Sequence, residues 1–125
     1  MRVLIVDNVY TNRFLLAEIF RKLKIDFDEV TNGKEAIEAL RKHDYELILM
    51  DIEMPVMNGL ETTAYIRKKM GFTKSQPFIV ALTAHNTDTF YRNFSDIGFD
   101  MHLTKPYSID KISAIIDSLN NQVNR

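Results

Sequence analysis

The sequence predicts an α/β fold: a parallel sheet of five strands with helices packed on both of its faces. Two observations lead there. Short β-branched or aliphatic runs alternate with longer amphipathic stretches, five of each, between Val3 and Leu119. The middle run, Leu47-Ile48-Leu49-Met50, is apolar throughout, as expected of a central strand buried on both faces.

The first strand is Val3 to Val6. Phe14, Leu15, Ala17, Phe20 and Leu23 then fall near helical spacing, and Lys22 and Lys24 close the last turn of a first helix. A second strand around Phe27 to Val30 leads through Thr31-Asn32-Gly33 into a helix over Lys34 to His43, with Ala36, Ile37 and Leu40 on one side. The third strand ends on Asp51. After the loop Ile52 to Asn58 the pattern predicts a helix from Gly59 to Lys69, a polar loop containing Pro77, and a fourth strand from Phe78 to Leu82. The fourth helix is the least regular: Phe90, Phe94 and Ile97 lie at i, i+4 and i+7, but Asn86-Thr87-Asp88-Thr89 is a weak start. A short fifth strand ends near Leu103. Ser108 is a good N-cap for a last helix whose apolar stripe is Ile109, Ile112, Ile115, Ile116 and Leu119. The Asn-rich tail, Asn120 to Arg125, is expected to fray.

At 125 residues the chain has the size of one ordinary domain, so a single domain over 1–125 is expected. No apolar run approaches the roughly 20 residues of a membrane span. The run Val3 to Val6 meets an acid at once and reads as a strand, not as a signal peptide, which implies a cytoplasmic location. Having no cysteine excludes disulfides, thiolate zinc sites and cysteine nucleophiles. With 16 basic and 17 acidic residues there is no basic stripe to neutralise phosphates along a nucleic acid, so direct binding to DNA or RNA is not expected.

Chemistry enters where the strands end. In an open parallel α/β sheet, ligands bind beyond the carboxyl ends of the strands, at the crevice where strand order reverses. Asp7 and Asn8 follow strand one, Asp51 follows strand three, Thr83 follows strand four and Lys105 lies just past strand five. In the flavodoxin-like order 2-1-3-4-5, strands one and three are neighbours, and Asp7, Asn8 and Asp51 converge. Two crowded carboxylates repel and raise each other's pKa unless a cation neutralises them, and oxygen ligands of this kind suit Mg²⁺. A carboxylate held there could attack phosphorus in line, with the metal, Lys105 and the Thr83 hydroxyl stabilising the phosphoryl oxygens.

Val6-Asp7-Asn8, the stretch Leu47 to Gly59 with Asp51-Ile52-Glu53-Met54-Pro55-Val56-Met57-Asn58-Gly59, then Ala81-Leu82-Thr83-Ala84-His85 and Leu103-Thr104-Lys105-Pro106, resemble in order and spacing the receiver domains of two-component response regulators. The resemblance covers essentially the whole chain and is nearest to receivers of hybrid histidine kinases and phosphorelays. It implies a (βα)5 doubly wound fold and a phosphoacceptor, Asp51, that takes a phosphoryl group from a histidine kinase or histidine phosphotransfer protein. Lys105 would contact the phosphoryl group, Thr83 would be the switch hydroxyl, and His102 would hold the place of the aromatic switch residue. Asp7, Asn8, Asp51 and the backbone carbonyl of Glu53 would hold Mg²⁺ or Mn²⁺. Pro106 would follow a cis peptide bond, and His85 would overlook the site and tune dephosphorylation. A downstream protein would dock on the face formed by helix four, strand five and helix five, around Tyr91, His102 and Tyr107. The chain would not be a dedicated enzyme.

Two positions depart from the family pattern. Asn8 stands where a second acid is usual; its amide oxygen can ligate Mg²⁺ but brings no charge, so weaker metal affinity is expected, partly offset by the Glu53 carboxylate. His102 stands where Tyr or Phe is usual and reads first as a plain rotamer switch, with an imidazole that could also respond to pH. Three other readings stay open at this point. A pseudo-receiver would share the fold and work without phosphorylation. A flavin-binding protein needs a small-residue phosphate loop, for which Asn8-Val9-Tyr10-Thr11 is poor. A haloacid-dehalogenase-like phosphatase needs paired acids two apart, and Val9 follows Asn8 here. Taken singly, Asp26, Asp28, Asp100 and Asp110 read as turn or capping residues, and Met50, Met54 and Met57 as packing.

Overall fold

The computed structural model describes residues 1–72, 76–84, 86–105 and 107–123, and the backbone alone at 87, 91, 122 and 123. The expected positions of His85 and Pro106, and the Tyr91 side chain, lie outside the described residues. The apolar runs form five parallel strands, β1 (Arg2–Val6), β2 (Asp26–Val30), β3 (Leu47–Asp51), β4 (Phe78–Thr83) and β5 (Met101–Thr104), in the order β2-β1-β3-β4-β5. The connecting helices are α1 (Tyr10–Lys22), α2 (Gly33–Lys42), α3 (Gly59–Lys69), α4 (Thr87–Phe94) and α5 (Ile109–Val123). This is the doubly wound (βα)5 architecture with the predicted strand order.

Because side chains alternate across a strand, the sheet feeds two cores. Val3, Ile5, Leu47, Leu49, Val80 and Leu82 pack with Leu16 and Phe20 of α1 and Ile112, Ile115, Ile116 and Leu119 of α5. Leu4, Val6, Ile48, Met50 and Ile79 pack on the other face with Ala36 and Leu40 of α2 and Ile66 of α3. Every residue of β3 is buried, as its unbroken apolar run predicts.

Local chemistry sets the helix ends. Asn32 caps α2 by accepting the Glu35 N–H at 2.9 Å. Asn58 and Glu61 form a reciprocal capping box at the start of α3. The start of α4 is capped after all: Asn86 Oδ1 accepts the Thr89 N–H at 2.9 Å. Ser108 accepts the Lys111 N–H at 3.3 Å, as its cap role predicts. At the end of α1, Lys24 takes φ +58°, with Ile25 N–H donating to Phe20 O at 3.0 Å and Lys24 N–H to Arg21 O at 3.1 Å, the two bonds of a Schellman motif.

Five expectations are corrected. On α1 the buried side is Leu16, Ala17 and Phe20, whereas Phe14 and Leu15 are 48% and 60% exposed. The helix is apolar on more than one side, so periodicity alone could not choose its inner face. Ile97 lies beyond α4, in a turn where its N–H donates to Phe94 O at 3.2 Å. Ile109 is exposed at the first turn of α5, and that helix continues over Asn120 and Asn121 to Val123, with Asn124 and Arg125 outside the described residues. Asp28 is not a turn residue but lies inside β2, where it accepts from the Tyr45 hydroxyl at 2.6 Å; Asp100 does stand at a bend before β5 and there accepts from Arg67 at 2.7 Å and from the Ile79 N–H at 2.8 Å.

Candidate functional site

The strand order makes β1 and β3 neighbours, with Val6 opposite Met50, so Asp7 and Asp51 come next to each other at the carboxyl edge. Both are buried, Asp7 completely and Asp51 with 3% of its surface exposed. Asp7 Oδ1 accepts the Val9 N–H at 2.8 Å, which turns the chain into α1, and the Asp7 N–H donates to Val30 O at 3.2 Å. Asp7 Oδ2 is buried with no hydrogen-bond partner. Asp51 Oδ1 accepts the Glu53 N–H at 3.2 Å and faces the Lys105 ammonium at 3.4 Å. Lys105 is carried to that edge by the bond from its own N–H to Thr83 O at 2.8 Å. Thr83 closes β4, 1% exposed, opposite Thr104.

Gly59 fixes the loop between β3 and α3 against the acid. A Cβ there would lie 2.3 Å from the Asp51 carbonyl oxygen, so only glycine lets α3 start on the Asp51 backbone, where its N–H donates to Ile52 O at 3.2 Å. Val56, at the tip of the same loop, takes φ +71°, a costly conformation for a β-branched residue. Strain of this kind gathers at functional loops.

Burial first and the charge of Asp7 second raise the Asp51 carboxyl, the Glu53 N–H and Lys105 oppose them, and the balance stands at about 6. An acid held this way keeps a basic, nucleophilic carboxylate near neutral pH. The remaining repulsion and the orphaned Asp7 oxygen are what a divalent cation would relieve, so the residues fit one. Asn8 is exposed beside them. The Glu53 side chain is exposed too, and among the described residues no three acidic, His or Cys side chains converge. The buried charge at this edge is that of Asp7 and Asp51.

His102 is not among the acids. It lies on β5 opposite Ala81, half-buried, its ring stacked on Phe90 with 4.4 Å between centroids. Tyr107, expected with it on the α4–β5–α5 face, instead lines a groove of about 530 Å³ between α1 and α5, along with Leu15, Ile19, Lys105 and Ile109. Sequence reasoning missed Arg13, whose guanidinium donates to the Asp7 carbonyl at 2.8 Å and pairs with Glu29 at 3.5 Å. Its place one turn into α1, six residues after Asp7, was the available signal.

A family model described as the response regulator receiver domain matches residues 3–117. The chain is 33% identical over 121 residues to two-component response regulator 24 of Arabidopsis thaliana, covering 96% of this chain and 84% of that one. It is 38% identical over 107 residues to the autoinducer 2 sensor kinase/phosphatase LuxQ of Vibrio cholerae, but spans only 12% of that protein's length. Among solved structures it is similar to the receiver domain of Ssk1 crystallised with the histidine phosphotransfer protein Ypd1 of Saccharomyces cerevisiae, with TM-score 0.82 and 32% identity over 90% of this chain and 83% of that one. It is also similar to the response regulator TrrA of Thermotoga maritima in complex with Mg(2+)-BeF, with TM-score 0.80 and 31% identity over 94% of this chain and 97% of that one. With the predicted strand order and buried acids at the predicted strand ends, these matches identify the chain as a member of the response regulator receiver family, the phosphoacceptor modules of two-component signalling.

Proposed function

We propose that the chain, as one receiver domain over 1–125, accepts a phosphoryl group on Asp51 and thereby switches the binding of a protein partner. The observation that carries this is the buried Asp51 carboxylate, raised in basicity beside Asp7 and 3.4 Å from the Lys105 ammonium. The donor is a histidine kinase or histidine phosphotransfer protein, as the pairing of the similar Ssk1 receiver with Ypd1 supports. In the transfer an Asp51 oxygen bonds to phosphorus as the phosphorus–nitrogen bond of the phosphohistidine breaks, and the imidazole leaves with the electron pair. Lys105 neutralises charge on the phosphoryl oxygens, and the Thr83 hydroxyl at the neighbouring strand end donates to one of them.

Asp7, Asn8, Asp51 and the Glu53 carbonyl would hold Mg²⁺, or Mn²⁺ in its place; when bound, the cation neutralises the crowded carboxylates and the developing phosphoryl charge. The magnesium complex of the similar TrrA supports this assignment. Moving a two-state switch from about 1:99 to 99:1 takes about 5.5 kcal/mol. Hydrogen bonds to a charged group contribute about 1.5–3 kcal/mol each, so Thr83 and Lys105 can supply most of it. His102, stacked on Phe90, is the aromatic residue whose rotamer would follow Thr83 and alter the α4–β5–α5 face for a downstream protein. The domain works in the cytoplasm as a signalling module and not as a dedicated enzyme. No helix among the described residues is long and apolar enough to cross a membrane.

Intact-mass spectrometry after incubation with Mg²⁺ and acetyl phosphate tests the reading. The expected result is the mass of one added phosphoryl group in the wild type and none in Asp51→Asn. A folded wild type that gains nothing at high Mg²⁺ would overturn it in favour of a receiver fold working without phosphorylation.

A further inference from the structure

Among the described residues, three buried side-chain polar atoms have no hydrogen-bond partner: Asp7 Oδ2, Thr63 Oγ1 and Tyr107 Oη. A buried polar group left unsatisfied is costly, and in native proteins such a group usually faces an ion, a water or a catalytic role. Asp7 Oδ2 is explained by the cation its carboxylate would help hold. Tyr107 is two residues past Lys105, whose ammonium is 3.4 Å from Asp51, and the two residues line the same groove. Its ring packs against the core shared by β1, α1 and α5, which anchors it while the hydroxyl stays buried. Burial first, then the charges of Asp7 and Asp51, push the Tyr107 phenol far above its usual range. Like any phenol it is an O–H at neutral pH and so a donor, and Asp51 continues the Leu47, Leu49 alternation on the same face of the sheet that Tyr107 packs against.

We propose that Tyr107 is a further positioning residue of the divalent-cation site, donating its hydroxyl hydrogen bond into the water shell of a cation held by Asp7. The proposal rests on the receiver reading above and adds a residue to it. A neutral phenol is a poor direct ligand for Mg²⁺, but it is a good donor to a coordinated water, and Mg²⁺ usually keeps several waters. Outer partners of this kind tune metal affinity by orienting what the direct ligands hold. At this site the contribution matters more because Asn8 supplies no charge. The two orphaned atoms, an acceptor on Asp7 and a donor on Tyr107, are then satisfied by one hydrated ion.

The test is Tyr107→Phe, which keeps the ring and removes only the hydroxyl, titrated with Mg²⁺ alone by isothermal calorimetry beside the wild type. Mg²⁺ affinity should fall about fivefold, which converts to about 1 kcal/mol. Without Mg²⁺ the variant should unfold at the same or a higher temperature, since an unsatisfied hydroxyl has been removed. The chain has five tyrosines and no tryptophan, so tyrosine fluorescence provides a second readout. Part of the Mg²⁺-induced change should vanish in the variant. Unchanged Mg²⁺ affinity, or a variant destabilised in the absence of Mg²⁺, overturns the proposal. If the wild type takes up the phosphoryl group from acetyl phosphate in these cases, the receiver reading survives and only the role of Tyr107 falls.

Discussion

The two edges of the sheet are built to different standards. At the amino edge polar groups are matched. Arg67 donates to Gly98 O, Gln76 Oε1 and Pro77 O, each at 2.9 Å, and to Asp100 at 2.7 Å, while Asp100 also takes the Ile79 N–H. Tyr45 donates to Asp28, and the Arg2 N–H donates to Glu46 Oε2 at 3.1 Å. At the carboxyl edge, the far end of the same strands, Asp7 and Tyr107 keep unpartnered oxygens, Asp51 is held against repulsion, and Val56 sits in the left-handed region. One edge closes the fold, and the other holds unfavourable groups that a cation and a phosphoryl group would relieve. A sheet can carry an unfavourable site because its opposite end, joined through two continuous cores, is well satisfied.

If this contrast is right, mutations at the two edges have opposite signs. The largest effect is expected at the satisfied edge: Arg67→Ala removes four hydrogen bonds, including one to a charged partner, and should destabilise by about 3 kcal/mol in urea unfolding followed by circular dichroism. Asp51→Asn should instead stabilise the metal-free protein, by an amount of the order of 2 kcal/mol at pH 7. The sign follows from the raised carboxyl. Its folded value, about 6, lies above the ordinary 3.8, so between these pH values the folded state binds more protons than the unfolded one. Its stabilising contribution is therefore full below about 4 and is lost as pH rises through about 6. Melting temperatures of wild type and Asp51→Asn should diverge across that window, and Mg²⁺ should narrow the gap at pH 7 by stabilising the wild type. The smallest effect is at the loop tip. Val56→Gly relieves the positive φ, offset in part by the greater chain entropy of glycine, for a net gain of about 1 kcal/mol in thermal unfolding. A loss there would show that the loop strain is absorbed elsewhere.

Most of the fold was legible, because a doubly wound sheet writes its strands as apolar runs and its crossovers as amphipathic stretches. The strand-end positions of Asp7, Asp51, Thr83 and Lys105 were legible for the same reason, since a strand boundary fixes an edge. What escaped were choices that depend on partners distant in sequence. Leu16 and Phe14 are equally apolar, and only packing against Phe20, Ile112 and Ile116 decides which points inward. Asp100 reads as a loop acid until Arg67, 33 residues earlier, is seen to reach it. Asn120 and Asn121 are poor helix formers, yet α5 holds them because Leu119, just before them, is anchored in the core. Tyr107 looked like surface because a lone tyrosine after a loop proline carries no sign of where its hydroxyl points.

The fit of Gly59 against the Asp51 backbone bears on how tolerance to substitution should be interpreted in this protein. A saturation library selected for folding alone would return a single letter at 59, since even alanine would push a carbon to within 2.3 Å of a carbonyl oxygen. Its intolerance would match that of Asp51 in a screen for signalling, although the two residues fail for unrelated reasons. Only a screen that scores abundance separately from signal would tell the hinge pin from the acceptor.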